Sequence, residues 1–107
     1  MKILTKYRKN GFDFKQVDRV GNVMLAHGIG GSEDPSQTFE VIIVQSHDGR
    51  EIGGNHYPPA EYPPSNEQWG MKGWTFMTMD GAIGKFDELV AKKAADDNDK
   101  ADLKLNE

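Results

Sequence analysis

A chain of 107 residues, 36% hydrophobic and 28% charged, has room for one domain with a single modest core. It contains no cysteine, which excludes a disulfide framework, a thiolate zinc site and a cysteine nucleophile. The net charge of −4 conceals a basic head: residues 1–20 carry +4, residues 21–79 carry −5 and residues 80–107 carry −3.

No apolar run reaches the roughly 18 residues that span a bilayer, and the N-terminus lacks the apolar stretch of a secretory signal. A cytoplasmic protein without membrane contact is the expectation. Met1 to Arg8 reads as a short strand or an irregular arm, with Ile3, Thr5 and Tyr7 on one face. Asn10-Gly11 is a turn signal, because both residues tolerate positive φ. Phe12 to Val20 reads as a strand with Phe12 and Phe14 on one face. The two-residue link Gly21-Asn22 leads into Val23 to His27 as a hairpin partner. Gly28 to Gln37 is glycine-rich and predicts a flexible loop.

Thr38 to Gln45 is the strongest strand, with Phe39, Val41 and Ile43 on one face and Ile42 and Val44 on the other. Apolar residues on both faces predict a central position in the sheet. His47-Asp48-Gly49 predicts a hairpin turn, with Arg50-Glu51-Ile52 as the return strand. The repeat Tyr57-Pro58-Pro59, Tyr62-Pro63-Pro64 predicts an ordered, extended crossing. It leads into a stiff aromatic loop containing Trp69 and then the last strand, Trp74 to Met77. Thr78 or Asp80 can cap a helix whose face is Ala82, Ile83, Phe86, Leu89, Val90 and Ala94. The polar run after Ala95 predicts that residues 96–107 form a disordered acidic tail, leaving residues 1–95 as the domain. The fold class is therefore α+β, a mainly antiparallel sheet of four to five strands with one C-terminal helix packed on a face. Val23, Leu25, Phe39, Val41, Ile43, Trp74, Phe76, Ile83, Phe86, Leu89 and Val90 are the expected core.

Signs of catalysis are few. Ser46, His47 and Asp48 are consecutive, and neighbours on a strand point to opposite faces where a triad must converge. His27, His47 and His56 lack the short spacing of a metal site. Neither Gly28-Ile29-Gly30-Gly31 nor Gly81-Ala82-Ile83-Gly84-Lys85 has the spacing of a phosphate loop. No catalytic residue, metal or cofactor is expected, and the chain reads as a non-enzyme. Two binding surfaces remain. Tyr57, Tyr62, Glu67 and Trp69 lie in or beside the stiff loop, where rigid aromatic side chains suit a protein partner. Lys6, Arg8, Lys9 and Lys15, interleaved with Tyr7, Phe12 and Phe14, are the alternative, a surface for nucleic acid.

Several segments together resemble a group of small tailed-bacteriophage accessory proteins. They are Lys9-Asn10-Gly11-Phe12, Val20-Gly21-Asn22-Val23, Phe39 to Val44, Tyr62-Pro63-Pro64-Ser65-Asn66-Glu67-Gln68-Trp69-Gly70 and Gly73-Trp74-Thr75-Phe76. The resemblance spans roughly residues 7–90, and its specific part is the stretch around the two tryptophans. It implies a phage-encoded protein acting in the cytoplasm of an infected bacterium, with a host protein as a candidate partner. It brings no catalytic residues. The longer acidic tail and the glycine-rich 28–31 loop depart from the pattern.

Overall fold

The computed structural model describes residues 2–30 and 36–105, with side chains as far as residue 95. Its centre is a five-stranded antiparallel sheet, in the order β1 (Lys6–Lys9), β2 (Phe12–Val20), β3 (Val23–Gly30), β4 (Ser36–Ile43) and β9 (Gly73–Phe76). Between β4 and β9 come β5 (Gln45–His47), β6 (Arg50–Ile52), β7 (Asn55–Tyr57) and β8 (Ala60–Tyr62). These four strands form two ribbons, β5 with β8 and β6 with β7. A helix, α1 (Met79–Leu105), follows β9 and packs against β3, β4 and β9. The α+β architecture is thus the one the sequence predicts.

Tight turns hold the first hairpins. Asn10 and Gly11 both take positive φ, 52° and 82°, as a two-residue turn between right-twisted strands requires. β2 then carries a bulge: Gln16 pairs with Ala26 and Asp18 with Leu25, so Val17 is an extra residue. A bulge adds twist and reverses the side-chain alternation beyond it. Phe12, Phe14 and Gln16 therefore share a face with Arg19, not with Asp18.

The sheet is buried on both sides, by two separate cores. On the helix side, Val23, Leu25, Phe39 and Val41 meet Ala82 and Phe86, with Ile43, Phe76, Met79, Leu89 and Val90 around them. On the opposite side, Phe14, Met24, Ala26, Ile42 and Val44 are covered by Leu4, Tyr7, Phe12 and Trp69. The β2 aromatics fit because β3 presents glycine opposite them. Phe14 pairs with Gly28 and Phe12 with Gly30, and each ring occupies the space that a side chain on the glycine would need.

Several expectations are corrected. Residues 28–30 and 36–37 belong to strands β3 and β4, because Gly28 and Gly30 serve cross-strand packing and not chain flexibility. Residues 31–35 lie outside the described part. Arg50–Ile52 does not return along β5; it pairs with β7 across Gly53-Gly54, whose φ values of 61° and 82° form a tighter hairpin of their own. The Tyr57-to-Tyr62 crossing contributes short strands β7 and β8, interrupted only at the proline pair. Ile83 is 40% exposed and Trp74 only half-buried, because Ala82, with no exposed surface, sets which side of α1 approaches the sheet. The helical backbone continues past Ala95 to Leu105, through Ala101, Leu103 and Lys104, which are good helix formers. Thr78 caps the start of α1, its Oγ accepting from the Gly81 N–H at 3.2 Å.

Replacing Phe86 by Ala should cost about 3–5 kcal/mol, since the ring closes the helix-side core. Ile83→Ala should change stability by less than about 0.5 kcal/mol, as is usual at the surface. Urea denaturation of both variants measures the contrast, and equal losses would place the helix in a different rotation.

Candidate functional site

The chemistry-bearing side chains gather in three places. The first is buried. Glu40 sits in the middle of β4 with 3% of its surface exposed, among apolar neighbours on the face opposite the helix. A carboxylate in that position must be matched by donors, because desolvation without partners costs several kcal/mol. Both edges of the sheet supply them. From β1, the Tyr7 hydroxyl donates to Glu40 Oε1 at 2.9 Å and Lys9 Nζ to Oε2 at 3.0 Å. From β9, Thr75 Oγ donates to Oε2 at 3.1 Å. Tyr7 reaches across by stacking on Phe14, with ring centres 4.9 Å apart and planes at 13°. Burial above all, then the adjacent Glu40 charge and the hydrogen bond to it, push the Tyr7 hydroxyl far above its ordinary pKa, so it remains a donor.

Trp69 belongs to this arrangement. Its indole N–H donates to Thr75 Oγ at 3.0 Å, its ring lies against Gly73, and Lys9 Nζ stands 3.1 Å from the ring centroid. The indole therefore closes over the Glu40 cluster as a half-buried plug. Lys9 is held between Glu40 and Trp69 and is turned away from any external phosphate. Lys6, Arg8 and Lys15 stay exposed, with Arg8 facing Asp13 at 4.0 Å. Alternating Lys6 and Arg8 along an edge strand also suits protection of that edge against pairing with other chains.

A second polar clamp fastens the N-terminal segment. Arg19, brought to this face by the bulge, donates from both Nη atoms to the two Glu61 oxygens at 2.7 Å each, and from Nε to the Gly21 carbonyl at 2.7 Å. The Leu4 N–H also donates to Glu61, at 3.0 Å. Backbone bonds from Lys2 to Pro59 and from Glu61 to Lys2 lay residues 2–4 beside β8. The Arg19 hydrogen bonds, followed by the Leu4 N–H and the Arg19 charge, hold the Glu61 carboxyl at about 2 against the opposing effect of burial.

The third place is an exposed arm. Every residue of β6 and β7 is exposed, and these strands make their main contacts with each other. Where the arm joins the body, His47, Arg50, Ile52, Tyr57 and Tyr62 line a concavity of about 400 Å³. Ile52 is 56% exposed, Tyr57 45% and Tyr62 41%. Gly49, at φ 100°, forms the joint; a Cβ there would stand 3.2 Å from the Tyr57 carbonyl and 3.3 Å from Pro59 Cδ.

The four residues expected to meet a protein partner are thus divided. Tyr57 on the arm and Tyr62 on β8 line the same concavity, Glu67 stands exposed on a single 3₁₀ turn, and Trp69 packs on the sheet. His27 stacks on Phe39, His47 lies 5.9 Å from Tyr62, and His56 is on the arm. Among the described residues no three metal-ligating side chains converge, and no helix is long and apolar enough to cross a membrane. Comparisons with family models, with curated proteins and with solved structures find no match to this chain.

Glu40→Ala should destabilise the fold by about 3–5 kcal/mol, because it leaves Lys9 and Tyr7 without their buried acceptor. Chemical denaturation checks this, and a loss below about 1 kcal/mol would mean the cluster is solvated. The Glu61 clamp gives a pH dependence of defined sign. Its folded-state pKa lies below the ordinary 4.5, so on acidification the unfolded chain takes up the proton first. The stabilisation is complete above about pH 4.5 and disappears as pH falls towards about 2. Wild-type stability measured across that window should fall more steeply than that of Glu61→Gln, and parallel curves would contradict the clamp.

Proposed function

We propose that this protein is a non-catalytic binding protein that docks a protein partner through the β6–β7 arm. The observation that carries this reading is the arm itself. Isolated two-stranded hairpins are marginal in water, yet this one holds Ile52 and Tyr57 out beside Tyr62 of β8, over a base of Gly49, Pro58 and Pro59. Clustered exposed apolar and tyrosine side chains are the usual anchors of protein interfaces, and a stiff support lowers the entropy lost on binding. Arg50 and His47 add polar contacts at the rim of the same concavity. The resemblance to phage accessory proteins supplies the context: a phage-encoded chain in the host cytoplasm, with a host bacterial protein as the partner. Trp69 leaves the proposed interface, since its ring and its N–H are already engaged. A nucleic-acid role for the basic head would rest on Lys6, Arg8 and Lys15 alone, because Lys9 is engaged by Glu40.

The test compares immobilised wild type with the Tyr57→Ala and Tyr62→Ala variants in bacterial lysate, followed by affinity measurement on any enriched protein. Each variant should fold with a melting profile close to that of wild type. Each should weaken the complex by about 2 kcal/mol or more, the loss typical of an interface hot spot. Equal recovery by wild type and both variants would remove the arm from the interface.

A further inference from the structure

On the opposite side of the sheet from the Glu40 cluster, a groove of about 460 Å³ runs between α1, β9 and the turn preceding it. Its floor is apolar, made by Val23, Ile43, Leu89 and the ring of Trp74. Its walls are cationic: Lys72 comes from the turn, Lys85 from the second turn of α1, and Lys92 and Lys93 from two turns further along it. Among the described residues, Glu88 is the one acidic side chain in the lining. In a chain of net charge −4, this is a local concentration of the opposite sign.

We propose that this groove binds a nucleotide, with the lysines holding phosphate and the Trp74 ring stacking on the base. Size and chemistry both fit. The volume falls within the range of small-ligand sites, and the lysine-rich lining suits an anionic group held beside an aromatic ring. Lys85 Nζ stands 4.4 Å from the Trp74 ring centroid and 3.4 Å from Glu88 Oε2. An arriving phosphate draws Lys85 from the ring, exposing an indole face on which a base stacks. Lys93 reaches the groove by running across Gly21, where its Cε lies 2.8 Å from the place a Cβ would occupy. The groove shares no lining residue with the arm, so the two proposals stand or fall separately.

Adenosine triphosphate and a fluorescein-labelled oligothymidylate are the two probes, titrated at low salt by calorimetry and anisotropy. Both carry the shared chemistry. Tighter binding of the triphosphate assigns the site to free nucleotide, and tighter, steeply salt-dependent binding of the oligonucleotide assigns it to a single strand. Lys72→Glu combined with Lys92→Glu, both at exposed positions, should lower affinity by about tenfold or more. Trp74→Phe keeps an aromatic ring and should retain binding, whereas Trp74→Leu should weaken it. Lys6→Glu with Arg8→Glu should leave binding unchanged. The proposal is overturned if neither probe binds at millimolar concentration, if the groove variant binds as well as wild type, or if polyglutamate competes as well as nucleotide.

Discussion

The structure depends on one buried carboxylate. Glu40 lies at the centre of the sheet with almost no access to water, so its charge has to be met by other parts of the chain. Tyr7 and Lys9 come from one edge strand and Thr75 from the other, so a single side chain ties together both borders of a five-stranded sheet. Much else follows from bringing the edges that close. β1 must curl over its own sheet, which the Val17 bulge assists by adding twist. Phe14 must lie low enough for Tyr7 to stack above it, and Gly28 provides the space. Trp69 then seals the opening and puts its N–H to use on Thr75.

This arrangement separates what is structural from what is available. The residue types most often found at interfaces are divided between the two roles by their surroundings. Trp69 and Tyr7 have hydrogen-bond partners and packed rings; among the described residues, Tyr57, Tyr62 and Ile52 have neither a covering element nor a core to join. The lysines divide in the same way, with Lys9 inside and Lys72 and Lys92 at the surface of a groove. The proposed binding role draws on the second set, and the buried cluster holds together the scaffold beneath it.

The helix-side core was legible from sequence because its signals are local: alternation in β3 and β4, and the repeat of apolar residues along α1. The opposite core was not, since it depends on contacts between segments far apart in the chain. Glu40 did carry a signal, an acid within a strand apolar on both faces, but its donors lie 31 to 35 residues away. Arg19 was hidden for a different reason. Simple alternation from Phe12 and Phe14 places it on the wrong face, and only the bulge at Val17 restores it. Gly28 and Gly30 looked like loop residues because a glycine that accommodates a cross-strand ring has the same letter as one that permits a turn. Arg50–Ile52 was paired with the wrong neighbour because two turn signals, at Asp48-Gly49 and Gly53-Gly54, lie close together and the second one closes the ribbon.

The clamp between Arg19 and Glu61 also bears on the order of assembly. Residues 4–9 are fastened to residues made much later: Leu4 to Glu61 spans 57 positions, and Lys9 to Glu40 spans 31. Long-range closures of this kind form slowly, after the contacts nearer in sequence. While the chain is still emerging from the ribosome, β2, β3 and β4 can pair, but β1 has no Thr75 or Trp69 to close the cluster it joins. The basic head therefore remains undocked until Glu61, Trp69 and Thr75 have been translated, well after the strands it covers.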